Sequence, residues 1–260
     1  MALVIDHLPP PIYSVRRRTM PNLSRRAMLA AAVAIPTTAA TVALTGGTAH
    51  AEYSWGRTLE KGMRGDDVAQ LQVRVAGWPG YDNVLAIDGD FGPATEAAVS
   101  RFQGAYGLSR TGIAGSRTFE KIYAIQSADN TPIHFTYAEL NKCNSTYGGG
   151  KVSAEAAKIN ARRVMWRLEA LRHALGDEPI TVSSGFRSEA CNDAVDGAPD
   201  SQHMYGRAAD LTGSHSLCTL AKQARNHGFN VILGPGYSGH GDHVHVDIGS
   251  YHQWSAPNCF

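Results

Sequence analysis

The sequence predicts an α+β protein: a small antiparallel sheet with helices, preceded by a small three-helix domain. Three observations carry this. A glycine turn, a polar cap and a short run of apolar residues at helical spacing recur three times between residues 61 and 119. One longer run (Ala157, Ala161, Val164, Leu168, Leu171, Leu175) keeps alternating three- and four-residue steps. After it come only short strand-like runs, separated by glycine-rich or polar stretches.

Charge and leader come first in chain order. The chain has 260 residues and a formal charge of +1, unevenly spread. Residues 1–51 hold Arg16, Arg17, Arg18, Arg25 and Arg26 against Asp6, which leaves 19 basic and 22 acidic residues for the remainder. No Lys/Arg block stands in that remainder, which argues against nucleic acid or an anionic membrane as a partner. Ser24-Arg25-Arg26-Ala27-Met28-Leu29 is a twin-arginine arrangement, followed by an apolar stretch over 29–44 and the small-x-small site Ala49-His50-Ala51. Residues 1–51 are therefore expected to be a twin-arginine-type signal segment cleaved after Ala51, with Met20 a candidate start. Thr37, Thr38 and Thr41 interrupt the apolar stretch, which is short for a membrane span. The expectation is a secreted protein, extracellular or associated with the cell wall, a monomer with no stable membrane insertion after cleavage.

All four cysteines (Cys143, Cys191, Cys218, Cys259) lie in the C-terminal half. An even count in an exported chain suggests two disulfides. Of the three connectivities, Cys143–Cys191 with Cys218–Cys259 ties the flanks of that half without crossing. Zinc–thiolate binding is disfavoured, because no C-x₂₋₄-C pair occurs.

The first domain is expected over residues 56–125. Gly65-Asp66-Asp67-Val68 leads into Leu71-Gln72, Asp90-Phe91-Gly92-Pro93 into Val99 and Phe102-Gln103, and Gly115-Ser116 into Phe119. Asp66 or Asp67 can cap the first helix, Pro93 suits a first turn, and Ser116 or Gly115 opens the third. Val68, Leu71 and Val75 share one face, as do Ala98, Val99 and Phe102. Trp78, Tyr81 and Tyr106 are either core residues or stacking platforms. The Gly-Asp-Phe-Gly-x-x-Thr-x-x-Ala-Val-x-x-Phe-Gln run resembles the three-helix peptidoglycan-binding domain found on wall-lytic enzymes. The resemblance implies a non-catalytic module that holds the protein on peptidoglycan. Gln126-Ser127-Ala128-Asp129-Asn130-Thr131-Pro132 reads as an exposed linker over 126–132.

The second domain is expected over 133–260. Thr136-Tyr137-Ala138-Glu139 reads as a capping box opening a short helix. The long periodic helix follows, stopped by Gly176. Residues 179–183 read as a strand delivering Ser184-Gly185-Phe186-Arg187 to a loop. Residues 207–211, 231–233 and 243–248 are further strands, and 216–227 a helix.

The chemistry gathers between His203 and His245. On the last strand His243, His245 and Asp247 alternate with Val244, Val246 and Ile248, so the first three face away from the apolar side. Both His243 and His245 are candidate ligands, and period alone does not choose. With His203 and Asp210, either one completes two imidazoles and a carboxylate, the set a catalytic Zn²⁺ takes when one position stays open for water. Asp242 is an adjacent base. His240 lies in a glycine-rich loop, where a solvated role competes with a substrate contact. Arg187 offers a fork for a carboxylate, or a surface bridge to Asp193 or Asp196. His215, His227 and His252 lack patterned partners and read as surface residues.

Ser201-x-His203-x-x-Gly206-x-Ala208-x-Asp210, closing with Asp242-x-x-His245 and joined by Ser184-Gly185-Phe186-Arg187, resembles the actinomycete type of zinc D-Ala-D-Ala carboxypeptidases. The resemblance spans nearly the whole chain after the leader. It implies that His203, Asp210 and His245 bind one Zn²⁺, that Asp242 is the general base, and that Arg187, Ser201 and His240 contact substrate. Related dipeptidases carry Glu where this chain has Asp242. On this reading His240 donates to the oxyanion and Arg187 pairs with the terminal carboxylate, favouring exo-cleavage. The alternatives are a zinc murein endopeptidase and a non-catalytic zinc-containing wall-binding protein. A serine nucleophile is disfavoured, since no Ser-x-x-Lys follows the leader.

Overall fold

Three helices open the described part of the protein: α1 (Asp66–Val75), α2 (Pro93–Ala105) and α3 (Ser116–Ala124). The structure is a computed structural model, and it describes residues 52–143 and 146–260. The expected signal segment and its cleavage site lie outside them. Val68, Leu71, Val75, Ala98, Val99 and Phe102 are buried together, as their periodicity requires. Pro93 opens α2 and Gly115 caps α3, as expected, whereas Gly65 rather than Asp66 or Asp67 holds the N-cap of α1; none of the three caps makes a side-chain bond. Asp67 is drawn to Arg57 instead, at 2.7 Å, while Asp66 and Asp67 sit in the first turn beside the positive end of the helix dipole. The repeat has a physical basis in two buried glutamines. Gln72 accepts from the Asp88 and Gly89 amides, and Gln103 accepts from the Gly112 amide, so each fastens the glycine turn after it.

Residues 126–132 are not an exposed linker. Gln126, Asn130 and Thr131 are buried. Arg74 of α1 donates to Gln126 Oε1 and Asn130 Oδ1, both at 2.9 Å. Trp166, from the long helix beyond, donates to the Asn130 carbonyl at 3.0 Å and packs into the apolar cluster of the first three helices. A polar sequence is buried here because its groups find partners on both sides. His227 is likewise buried rather than at the surface: its Nδ1–H donates to the Gly77 carbonyl at 2.7 Å, and its ring meets Trp78 edge-on.

Thr136 to Leu140 forms a single turn rather than a helix, although the Glu139 amide does donate to Thr136 Oγ1. The long helix α4 (Ala154–Ala174) starts at Ser153, whose Oγ accepts from the Ala156 amide. Then come β1 (Ile180–Ser184), α5 (Glu189–Ala194), a 3₁₀ turn (Gln202–Tyr205), β2 (Ala208–Gly213), α6 (Leu217–Ala224), β3 (Val231–Leu233), β4 (Val244–Asp247) and β5 (Gln253–Ser255). Neither α5 nor β5 is expected from the sequence, both being too short for a period to register.

The sheet runs β1-β2-β4-β3-β5, antiparallel throughout except for the β3/β5 pair. One face, with Val182, Leu211, Val244 and Val246, packs on Val164, Leu168 and Leu171 of α4 and Leu220 of α6. The other face carries the polar residues. Cys143–Cys191 and Cys218–Cys259 are the two disulfides, the pairing favoured from the sequence. Among the described residues no helix is long and apolar enough to cross a membrane.

Candidate metal centre and active site

The antiparallel register of β2 against β4 sets Asp210 directly opposite His245, Ala209 opposite Val246 and Leu211 opposite Val244. Cross-strand partners share a face, so the same pairing that buries the valines presents Asp210 and His245 together. His203 arrives from the 3₁₀ turn. That turn ends at Gly206, whose left-handed φ of 69° reverses the chain, and where a Cβ would collide with the Ala157 carbonyl.

Three acceptor atoms converge as a result. His203 Nε2 lies 3.1 Å from Asp210 Oδ1, His245 Nδ1 lies 3.0 Å from the same oxygen, and the two nitrogens are 3.2 Å apart. All three residues are buried. The opposite nitrogen of each ring is engaged by a group that can only accept. His203 Nδ1 donates to the Gly185 carbonyl at 2.5 Å, and His245 Nε2 donates to Asp247 Oδ2 at 3.2 Å. Gly185 itself admits no side chain, since a Cβ there would strike the Leu140 backbone. Two ring nitrogens and a carboxylate oxygen facing one another at these distances call for a cation between them. They are the hard and borderline donors that suit zinc, and three protein donors would leave such an ion a position for water. Of the two candidate histidines on the last strand, the structure brings His245 into this group.

The electrostatics point the same way. Burial lowers the His203 pKa despite the pull of Asp210. For His245 burial also lowers, but hydrogen bonds to Asp210 and Asp247 outweigh it and raise the pKa to about 9. Burial would raise that of Asp210, and the two histidines override it, holding the carboxyl below its usual range. The group favours one bound positive charge, which a metal supplies in place of a proton.

The trio sits in a cavity of 730 Å³ whose lining includes Arg187, Ser201, His240 and His243. Arg187 does not reach Asp193 or Asp196. Its Nη2 donates to Asp210 Oδ2 at 2.7 Å and its Nε to Ser184 Oγ at 2.9 Å, leaving Nη1 without a partner among the described residues. His240 Nδ1 donates to the Ser238 carbonyl at 2.9 Å, so the neutral ring presents a lone pair at Nε2. Burial lowers its pKa. Donation to an oxyanion, expected from the sequence, therefore requires a proton this setting disfavours.

Asp242 departs most from expectation. Its side chain is 91% exposed and lies outside the cavity lining. His243 Nδ1 donates to Asp242 Oδ1 at 2.8 Å, while His243 Nε2 stands 3.8 Å from Asp210 Oδ1. The hydrogen bond from His243 lowers the Asp242 pKa. One imidazole thus separates this carboxylate from the metal group. Alternation along the strand already placed His243 on the site's side; its pairing with Asp242 needed the fold.

Residues 133–247 match the family described as Peptidase M15, and residues 64–122 one described as a putative peptidoglycan binding domain. The chain is 59% identical over 229 residues to the zinc D-Ala-D-Ala carboxypeptidase of Streptomyces albus G, covering 88% of this chain and 90% of that protein. It is 34% identical over 96 residues to a spore cortex-lytic enzyme of Oceanobacillus iheyensis, 36% of this chain and 33% of that one. A Burkholderia AP3 phage endolysin structure shares 33% identity over 41% of this chain and 36% of its own, at a TM-score of 0.24, too low to bear on the fold.

Proposed function

This chain belongs to the zinc D-Ala-D-Ala carboxypeptidases of the peptidase M15 family, and from that premise we propose which of its side chains hold the metal and which move the protons. It is a zinc metallopeptidase that hydrolyses the terminal D-Ala-D-Ala bond of peptidoglycan stem peptides. His203 Nε2, Asp210 Oδ1 and His245 Nδ1 hold the zinc. The observation that carries this is their convergence within 3.2 Å, with both ring tautomers set by acceptors behind them.

When bound, zinc supplies Lewis-acid polarisation of a carbonyl and of a water. The protein's own groups do the rest. His243, with its Nδ1–H committed to Asp242, offers an Nε2 lone pair toward the site and takes the proton of the attacking water there. Asp242 orients that ring and balances its charge, the relation a carboxylate has to a catalytic histidine in hydrolytic triads. The proton returns from Nε2 to the leaving D-alanine amine. Asp242 thus keeps the acid–base role expected of it, but acts through His243. Arg187 holds Asp210 with Nη2 and offers Nη1 to the substrate's terminal carboxylate. Ser201 and His240 line the substrate's path, His240 as an acceptor at Nε2.

Residues 56–125 form the wall-binding part and 133–260 the peptidase. Residues 1–51 direct export and are removed after Ala51, leaving a monomer outside the cell; sequencing the N-terminus of secreted protein checks the cleavage. The catalytic reading is tested by D-alanine release from an acyl-D-Ala-D-Ala peptide. Chelation should abolish it and zinc restore it, while Asp242→Ala and His243→Ala should each lower kcat by about 10²-fold or more with zinc retained. Equal release from chelated protein would overturn the metal assignment, and a silent His243→Ala the proton route.

A further inference from the structure

Asp247 stands directly behind the metal group, in contact with the far nitrogen of His245. It lies on β4, the central strand, with Ala208 of β2 and Val231 of β3 as its neighbours across the sheet. It is buried, and both carboxylate oxygens are used. Oδ2 accepts from His245 Nε2 at 3.2 Å and Oδ1 from the Gly249 amide at 2.8 Å. The strand is held further by the Asn230 amide, which donates to the Asp247 carbonyl at 2.9 Å. The opposing residue on β2 is Ala208, small enough to leave the carboxylate its room.

The two imidazoles of the site face the group through different nitrogens. His203 faces the group with Nε2 because a backbone carbonyl takes its Nδ1–H. His245 faces it with Nδ1, and the group that takes its Nε2–H is a side chain. We propose that Asp247 is the positioning residue that fixes His245 in the tautomer ligating zinc through Nδ1. This rests on the assignment of His203, Asp210 and His245 as ligands. A ring free to carry its proton on Nδ1 presents N–H, not a lone pair, to the metal. Acceptors behind a ligating histidine typically contribute 10–100-fold in metal affinity.

Substitution separates tautomer control from packing. Asp247→Asn is nearly isosteric, but an amide has one acceptor where the carboxylate has two. If its oxygen keeps the Gly249 amide, its NH₂ faces His245 Nε2 and drives the ring proton to Nδ1. If the amide flips, two N–H groups meet at Gly249. Either way the carboxylate's double acceptance is lost with almost no change in volume.

The experiment measures zinc affinity by competition with a chromophoric chelator for wild type, Asp247→Asn, Asp247→Ala and His245→Ala. Melting of each zinc-free protein tests folding, and nitrogen NMR of zinc-loaded wild type and Asp247→Asn reports which His245 nitrogen carries hydrogen. The expected result is about 10–100-fold weaker zinc binding in both Asp247 variants. Zinc-free Asp247→Asn should melt as the wild type does, and its His245 Nε2–H signal should shift or vanish. Wild-type affinity in Asp247→Asn, with His245→Ala impaired, overturns the role of Asp247. Wild-type affinity in His245→Ala overturns the ligand assignment instead. Should Asp247→Ala fail to fold, Asp247→Asn decides alone.

Discussion

At the scale of single residues, pairings invisible to spacing set the chemistry. Arg187 donates to the Asp210 carboxylate with Nη2, and its Nη1 has no partner among the described residues. Arg187→Gln should therefore cost about 2 kcal/mol, roughly 30-fold in kcat/KM, on a peptide ending in a free carboxylate. The wild-type preference for the free acid over the C-terminal amide should shrink with it, measured at saturating zinc. His227 gives a pH prediction. Burial lowers its pKa to about 4 from the ordinary 6.5, against the weaker upward pull of the Gly77 carbonyl. A depressed histidine means the unfolded chain binds the extra proton between those values. Stability from this group is complete above pH 6.5 and is lost as pH falls toward 4, by roughly 3 kcal/mol. Urea unfolding at pH 7.5 and pH 5 should show about 2 kcal/mol of that loss, and His227→Asn, which keeps a donor for Gly77, should show much less of it.

At the scale of elements, α4 serves two cores. Val164, Leu168 and Leu171 pack under the sheet, while Trp166 on another side of the same helix enters the cluster of α1, α2 and α3. Its indole also donates to Asn130 in the buried seam. Trp166→Ala should destabilise the protein by about 3–5 kcal/mol. The informative readout is whether the fluorescence of Trp55 and Trp78, which pack against the cluster of the first three helices, changes in the folded variant. The helix was plain from its period, because an amphipathic stripe needs only local sequence to be seen. That its remaining face was also committed could not be read, since Trp166 falls outside the stripe and its partners lie 36 or more residues away. The supposed linker failed for the same reason: polar residues look exposed until the groups that satisfy them are known.

For the whole molecule, chain closure and metal binding complete the stability. Cys143–Cys191 spans 48 residues and Cys218–Cys259 spans 41, and loops of that length stabilise by about 4 kcal/mol each in the chain-entropy account. Reduction should lower the denaturation midpoint, and chelation should lower it further, since His203, Asp210 and His245 are brought together only in the folded chain. Thermal melts with reductant, chelator and both together check whether the two losses add. Legible without coordinates were helices α1 to α4 and α6, strands β1 to β4, the two-part composition, a favoured disulfide pairing, and the imidazole–carboxylate–imidazole set. Each of these is written in local period, in turn chemistry or in which residue types are present. Strand period left His243 and His245 open and the family resemblance pointed to His245; tertiary structure was needed to see register bring His245 to the group, Asp242 stand behind an imidazole, and Arg187 and Asp247 contact the group from behind. Those outcomes depend on strand register and on hydrogen bonds between residues far apart in the chain, and a one-residue spacing rule contains neither.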